Sequence, residues 1–293
     1  MTRIIANLSE VAESYDTLFC DLWGCLHNGH APYAPAVAAL QAFRQKGGRV
    51  VLLTNAPRPS KFVMASMDRM GVPRDAWDLI VSSGDAAQYA MLSGAVGTRV
   101  WHLGPDKDDG FFNDLPQDAP ASTITRVALE EAEGIVCTGP FDELNEVPED
   151  YRARFLHAKA RGLKLLCANP DLVVDYGDRR IYCAGALAVL YSEMGGESLY
   201  FGKPHPPIYD LARRRLSALT GHQPDTGSIL AIGDGIATDI QGAMGEGIDA
   251  LFVTGGLAAE EFGPDVENPA PALLDRWLED QQMSPAYAIG RLR

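Results

Sequence analysis

Positive charge is what this chain is short of. Its 293 residues carry 25 Lys and Arg against 39 Asp and Glu, a formal charge of −14. That balance repels a nucleic-acid backbone and an anionic membrane surface. No run of basic residues overrides it, since "ARRRL" at 212–216 reads as the solvated face of a helix. Nucleic acid is therefore not an expected partner. Long apolar runs are missing too: no stretch approaches the roughly 20 residues of a membrane span. The N-terminal "MTRIIANLSEVAESYD" lacks the apolar segment of a secretory signal, so a membrane is not expected either. Cysteine is scarce, with Cys20, Cys25, Cys137, Cys167 and Cys183 odd in number and no C-x-x-C pair among them. Three lie inside apolar runs, so the expectation is buried free thiols in a reducing, cytoplasmic setting rather than disulfides or a zinc site.

What is there suits a globular chain. Apolar residues make up 46% and charged residues 22%, enough to bury a real core in one large or two medium domains. Strand-like and helical segments alternate, which predicts an α/β fold with a mainly parallel sheet. "YDTLFCDLW" is strand-like, "APAVAALQAFRQKGG" has helical periodicity and a Gly stop, and "RVVLLTNAPRP" is a buried strand ending in polar residues. "SKFVMASMDRMG" reads as a helix, and "LIVSSGDAAQYAML" as a strand running into another. From about residue 85 the character shifts to the short strands "TRVWHLGP", "GIVCTGP" and "LKLLCANPD", with the helix "EDYRARFLHAKARG" between the last two. "LPQDAPASTITRV" is loop-rich. The first pattern resumes with "LYFGKPHPPIYDLARRRLSAL", "SILAIGDGIATDIQGAMGEG" and "IDALFVTGG", and "PALLDRWLEDQQ" ends the chain as a terminal helix. The expected organisation is a core of 1–84 and 199–293 with an α/β domain, 85–198, inserted.

Four strand ends carry groups able to do chemistry: Asp21, Thr54 with Asn55, Lys203, and Asp234 with Asp239. Strand C-termini of an open α/β sheet converge on one crevice. Carboxylates there hold a hard cation such as Mg²⁺, and Lys and backbone N–H groups neutralise phosphate oxygens. An aspartate can itself attack phosphorus. Each signal alone has a plainer reading: Asp21 as a turn or cap residue, Thr54-Asn55 as an N-cap or Asx-turn, Lys203 as a loop lysine. "IGDGIATD" contains a G-x-G, but Thr238 stands where a dinucleotide fingerprint needs its third glycine. Their combination, in this order, is far more specific.

In that order and spacing the chain resembles the haloacid dehalogenase (HAD) superfamily, specifically its class IIA, NagD-like branch. Asp21 of "DLWGCLHNG" matches the family nucleophile, Thr54 of "LLTN" the phosphate-binding hydroxyl, Lys203 of "GKPHPPIY" the third-motif lysine, and Asp234 and Asp239 of "GDGIATDI" the metal-site acids. The resemblance implies a Rossmann-like parallel-sheet core with an inserted C2-type cap between the second and third motifs, and a Mg²⁺-dependent phosphohydrolase acting on a small phosphorylated metabolite. Asp21 would attack in line. Mg²⁺ would be held by Asp21, the backbone carbonyl of Trp23 and Asp234, with Asp239 in or beside that shell. Thr54, the Asn55 N–H and Lys203 would bind the transferring group. The family places a substrate loop near Asn169, Pro170 and Asp171, and a homodimer through the cap fits it.

The departure is Trp23. Family phosphatases carry a second aspartate there, which protonates the leaving oxygen and then activates water; an indole has no such proton. General acid–base catalysis contributes about 10²–10⁴-fold, so the expectation is a phosphatase that is slow or confined to good leaving groups. His27, His30, Asp171 and Asp175 are candidates for a replacement acid. Two alternatives stand beside it: a haloacid-dehalogenase-type hydrolase, whose halide leaves without protonation, and a weak phosphometabolite-binding module.

Overall fold

A computed structural model of the chain describes residues 2–116, 119–176 and 179–293, with only the backbone of Asp175 and Tyr176. In chain order the strands are β1 (Arg3–Ile4), β2 (Thr17–Cys20), β3 (Arg49–Thr54), β4 (Leu79–Ser82), β5 (Arg99–Leu103), β6 (Thr125–Arg126) and β7 (Gly134–Cys137). They continue as β8 (Lys164–Cys167), β9 (Val173–Tyr176), β10 (Arg179–Tyr182), β11 (Glu197–Tyr200), β12 (Ile229–Gly233), β13 (Asp249–Val253) and β14 (Tyr287–Ile289). The chain forms two compact units: Met1–Thr54 with Met64–Val81 and Tyr209–Arg293, and Asn55–Val63 with Ser82–Ile208. No described helix is long and apolar enough to cross a membrane.

The first unit is built on the sheet β1-β14-β13-β12-β2-β3-β4. Its described registers are all parallel, with Cys20 opposite both Ile232 and Leu52. β2 and β12 are buried along their whole length, as central strands covered on both faces must be, and this is why they read as unbroken apolar runs. From β2 the chain steps to β3 and β4 on one side; from β12 it steps to β13 and β14 on the other. The order therefore reverses between β2 and β12, which fixes where polar residues at their C-terminal ends meet.

The helix Ala34–Gln45 buries Ala36, Val37, Leu40 and Phe43, one stripe at helical spacing, and stops at Gly47, whose φ of 99° suits a residue without a Cβ. At its last turn Arg44 clamps Asp78 with two hydrogen bonds of 2.7 and 2.9 Å, while the Val50 N–H donates to the same carboxylate at 2.8 Å. Helix, β3 and the approach to β4 are thus locked by one buried acid. Phe252 of β13 stacks on Trp277 of the terminal helix Pro271–Asp280, and Phe262 meets both edge-on.

The second unit has its own parallel sheet, β11-β8-β7-β5-β6. One face packs Ile135, Cys137, Leu165 and Cys167 against the helices Arg152–Ala160 and Ala184–Glu193. The other packs Val100, Val136, Leu166 and Ala168 against the helices Ser83–Leu92 and Gly110–Asn113. Alternate residues of each strand thus serve opposite layers, the arrangement of a doubly wound sheet. The sequence reading ended at the helix Pro271–Asp280 and missed β14, which follows it and stands between β1 and β13; the other strands it missed are peripheral. β1 and β6 are two residues long, β6 lying within the stretch read as loop, and the β9–β10 pair is interrupted by charged residues that hide its pattern.

All five cysteines are buried and free, as expected from their placement. For Asp78, burial pushes its pKa up, but Arg44, the Val50 N–H and Arg49 outweigh it and hold the group below the ordinary carboxylate value. Such a group stabilises the fold above the unfolded-state pKa, and the contribution disappears as pH falls through the lowered native value. Asp78→Asn is expected to cost about 1.5–3 kcal/mol at pH 7 and to flatten the loss of stability below about pH 4. Urea unfolding at pH 7 and pH 3 checks both; equal costs at the two pH values would contradict the assignment.

Candidate active site

At the reversal point of the first sheet, β2 ends at Cys20 and is followed by Asp21, whose N–H donates to the Ile232 carbonyl at 2.8 Å. β12 ends at Gly233 and is followed by Asp234. Both acids are buried, at 8% and 6% exposure, and their carboxylate oxygens and the Cys25 thiol lie within 4.8 Å of one another. Two buried like charges this close favour a bound cation over two free anions. The chain makes room for the arrangement by withholding side chains. A Cβ on Gly24 or on Gly256 would lie 2.0 Å from Asp234 Oδ2, and Gly24 also has a φ of 71°. The Leu257 N–H fixes that same oxygen at 3.0 Å.

Cys25 is the member the sequence reading missed. It had been grouped with the inert buried thiols, and nothing in a one-dimensional pattern shows that the turn at Gly24 folds it back onto the acids. Burial, then Asp234 and Asp21, push its pKa well above the usual thiol value. The two carboxylates beside it are hard oxygen donors, which suit Mg²⁺. Asp239 is not in that triplet. It sits on the π turn Ile236–Ile240, accepts the Gly235 N–H at 3.1 Å and shapes the loop that carries Asp234. Thr54 ends β3, two residues beyond the partner of Cys20, and is buried.

Trp23 is half-buried and packs edge-on against His27 at 5.3 Å between ring centres. Gly29, at a φ of 86°, lies under the indole, and a Cβ there would come within 2.3 Å of it. His27 was expected to titrate near neutrality. Burial instead lowers its pKa to about 4, and its Nδ1 accepts the Gly29 N–H at 3.1 Å. The ring is therefore neutral and built into the turn. His30 is exposed, and the side chain of Asp175 lies outside the described residues.

In the second unit the remaining candidates form a cluster of their own. Asn55 binds both backbone groups of Lys203, accepting its N–H at 2.8 Å and donating to its carbonyl at 3.0 Å. Its amide also donates to Asp171 at 2.8 Å. Asn169 in turn accepts the Asp171 N–H at 3.0 Å. Gly202 lets this happen, since a Cβ there would strike Asn55 Oδ1, Ser83 Oγ and Pro170 Cδ at 2.5–2.7 Å. Asn55 thus holds the backbone of Lys203, itself buried, and the sequence-predicted cap residues Asn169 and Asp171 meet it there.

A family model described as a haloacid dehalogenase-like hydrolase matches residues 18–115, and a second, HAD-hydrolase-like model matches 200–279. A crystal structure of a haloacid dehalogenase-like hydrolase from Brucella suis is 39% identical, covering 98% of this chain and 99% of that one, with a TM-score of 0.83. NagD of Escherichia coli, a ribonucleotide monophosphatase, is 24% identical over 88% of this chain and 97% of its own length. The D-glycerol 3-phosphate phosphatase of Mycobacterium tuberculosis is 25% identical over 85% of this chain, which spans 66% of that protein. A structure of the mycobacterial glycerol phosphate phosphatase holds magnesium and superposes with a TM-score of 0.63 at 23% identity. The chain belongs to the haloacid dehalogenase-like hydrolase family, in its NagD-like, class IIA branch.

If the Asp21–Asp234 pair takes up Mg²⁺, the ion stabilises the folded state by mass action, by about 2.7 kcal/mol at a hundred times its dissociation constant. A melting temperature that rises with Mg²⁺ is expected for the native chain, and Gly24→Ala should both melt lower and lose most of that rise. A full rise in Gly24→Ala would show that the loop can retreat from Asp234.

Proposed function

We propose that the protein is a Mg²⁺-dependent phosphohydrolase of small phosphorylated metabolites, working through an aspartyl-phosphate on Asp21. The observation that carries this reading is the pair of buried acids at the reversal point of the first sheet, in a chain of this family. The names of its relatives, both phosphatases of small phosphate esters, support the same class. In the first step an Asp21 carboxylate oxygen forms a bond to phosphorus as the ester P–O bond breaks and its electron pair leaves with the alcohol oxygen. In the second, water attacks the same phosphorus, the acyl–phosphate P–O bond breaks, and Asp21 is regenerated with release of inorganic phosphate.

Mg²⁺, when bound, neutralises phosphate charge and fixes the carboxylate. Its holders are assigned as Asp21, the Trp23 carbonyl and Asp234, with Asp239 supporting the loop. Thr54, the Asn55 N–H and Lys203 are assigned to the oxygens of the transferring group, where positive charge and fixed donors matter most in a loose transition state. Asn55 keeps Lys203 in place through its backbone. Asn169 and Asp171 are assigned to the substrate side of the inserted domain, which serves as the cap.

Trp23 cannot give a proton to the leaving oxygen, and the His27 imidazole beside it is neutral above about pH 4. Esters of acidic alcohols and acyl phosphates are therefore the favoured substrates, because their leaving groups depart as anions. The purified protein is expected to hydrolyse p-nitrophenyl phosphate or acetyl phosphate with Mg²⁺, to lose that activity in EDTA, and to lose it in Asp21→Asn. Trp23→Asp should raise the rate on alkyl phosphates, by up to about 10²–10⁴-fold if the new carboxyl serves as acid. Halide release from a 2-haloacid without Mg²⁺ would replace this reading with the dehalogenase, and no turnover under any metal with the binding module.

A further inference from the structure

The second unit repeats the design rule that places the acids in the first. From β5 the chain goes to β6 by way of the helix Gly110–Asn113 on one face, and from β7 to β8 by way of the helix Arg152–Ala160 on the other. β5 and β7 are neighbours, so the strand order of this sheet reverses between them. Ligands of doubly wound sheets bind beyond the C-terminal ends of strands at such a point.

What the chain puts there is polar and incompletely partnered. Beyond β5 comes Asp108, 1% exposed, and neither of its carboxylate oxygens makes a well-formed hydrogen bond among the described residues. The nearest cation, Arg58 Nε, is 3.8 Å away. Lys107 is engaged by Glu143. Beyond β7 comes Thr138, 2% exposed, with its hydroxyl 3.0 Å from His102 Nε2 of β5. Gly104 lets both groups approach its backbone, because a Cβ there would lie 1.9 Å from Thr138 Oγ1 and 2.8 Å from His102 Nε2. Burial pushes the pKa of Asp108 up to about 6, against the pull of Arg58, Lys107 and the Thr138 hydroxyl. A carboxylate is not left in this condition without cost, since a buried acceptor lacking hydrogen bonds forfeits its hydration.

We propose that the reversal point of the second sheet is a ligand subsite, in which Asp108, Thr138 and Arg58 bind the hydroxyl groups of a polyol or sugar. The charges select that class. Asp108 only accepts and Arg58 only donates, while Thr138 does both, so vicinal hydroxyls can satisfy all three. An ammonium group would be repelled by Arg58, and an anion by Asp108. Arg58 belongs to the loop that leaves Asn55, and the Ala56 carbonyl accepts the Gly84 N–H at 3.0 Å, which ties that loop to the helix carrying Ser83. That the polyol belongs to the substrate rests on the phosphohydrolase reading.

The test compares ribose 5-phosphate with p-nitrophenyl phosphate, which has no hydroxyls to offer, in the full-length protein with Mg²⁺. Asp108→Asn is expected to lower kcat/KM for ribose 5-phosphate about tenfold relative to p-nitrophenyl phosphate, through KM, as loss of a hydrogen bond to a charged group does. Thr138→Val, nearly isosteric, should move the same ratio and serves if Asp108→Asn melts early. Calorimetric titration with free ribitol reads the subsite without turnover, with binding to the native chain and none to Asp108→Asn. An unchanged substrate ratio in both variants, or no ribitol binding to the native chain, overturns the subsite. Failure of p-nitrophenyl phosphate hydrolysis with ribitol binding intact overturns only the reaction.

Discussion

Two carboxylates forced together inside a sheet are the constraint on which the first unit turns. Asp21 and Asp234 repel each other, and burial strengthens that repulsion by removing water. Their positions are fixed by local geometry. The Leu257 N–H holds Asp234, the sheet holds the Asp21 backbone, and Gly24 and Gly256 give up their side chains to let the acid in. Geometry of this kind, with two carboxylates brought together at the end of a sheet, is what a hard cation needs. Burial first, and then the two acids, raise the pKa of the neighbouring Cys25 thiol.

The same loop builds Trp23 into the fold. Its ring is seated on Gly29 and against His27, and His27 is desolvated and bonded to the Gly29 N–H. The turn is therefore an aromatic, neutral structure: the indole has no titratable proton, and burial keeps the imidazole beside it uncharged.

The second unit is a parallel doubly wound sheet in its own right, with two helical layers and a reversal point between β5 and β7. One physical rule explains both polar corners. At a reversal point the two adjacent strands send their connections to opposite faces, so no crossover covers the gap, and polar groups can stand there without displacing packing. In the first unit the gap holds two acids. In the second it holds Asp108, Thr138 and His102.

The α/β class, the alternation of elements and the candidate nucleophile, hydroxyl, lysine and acids were all legible before any coordinates, because buried parallel strands appear as apolar runs and functional groups follow them directly. The short edge strands β1 and β6 and the β9–β10 pair were not legible, since two to four residues broken by charge carry too little periodicity. Composition and order alone determined that the chain is a globular α/β protein with acids, a hydroxyl and a lysine at its strand ends, and that position 23 cannot donate a proton. Only the tertiary structure decided which of those residues meet. It brought Cys25 onto Asp21 and Asp234, set Asp239 behind the loop, gave Asn55 to the backbone of Lys203, and buried His27 and Asp108. Sequence neighbours reveal residue type and local period, but charge repulsion, desolvation and the withheld side chains of Gly24 and Gly256 act between positions as far apart as Asp21 and Asp234, and they exist only once the sheet has formed.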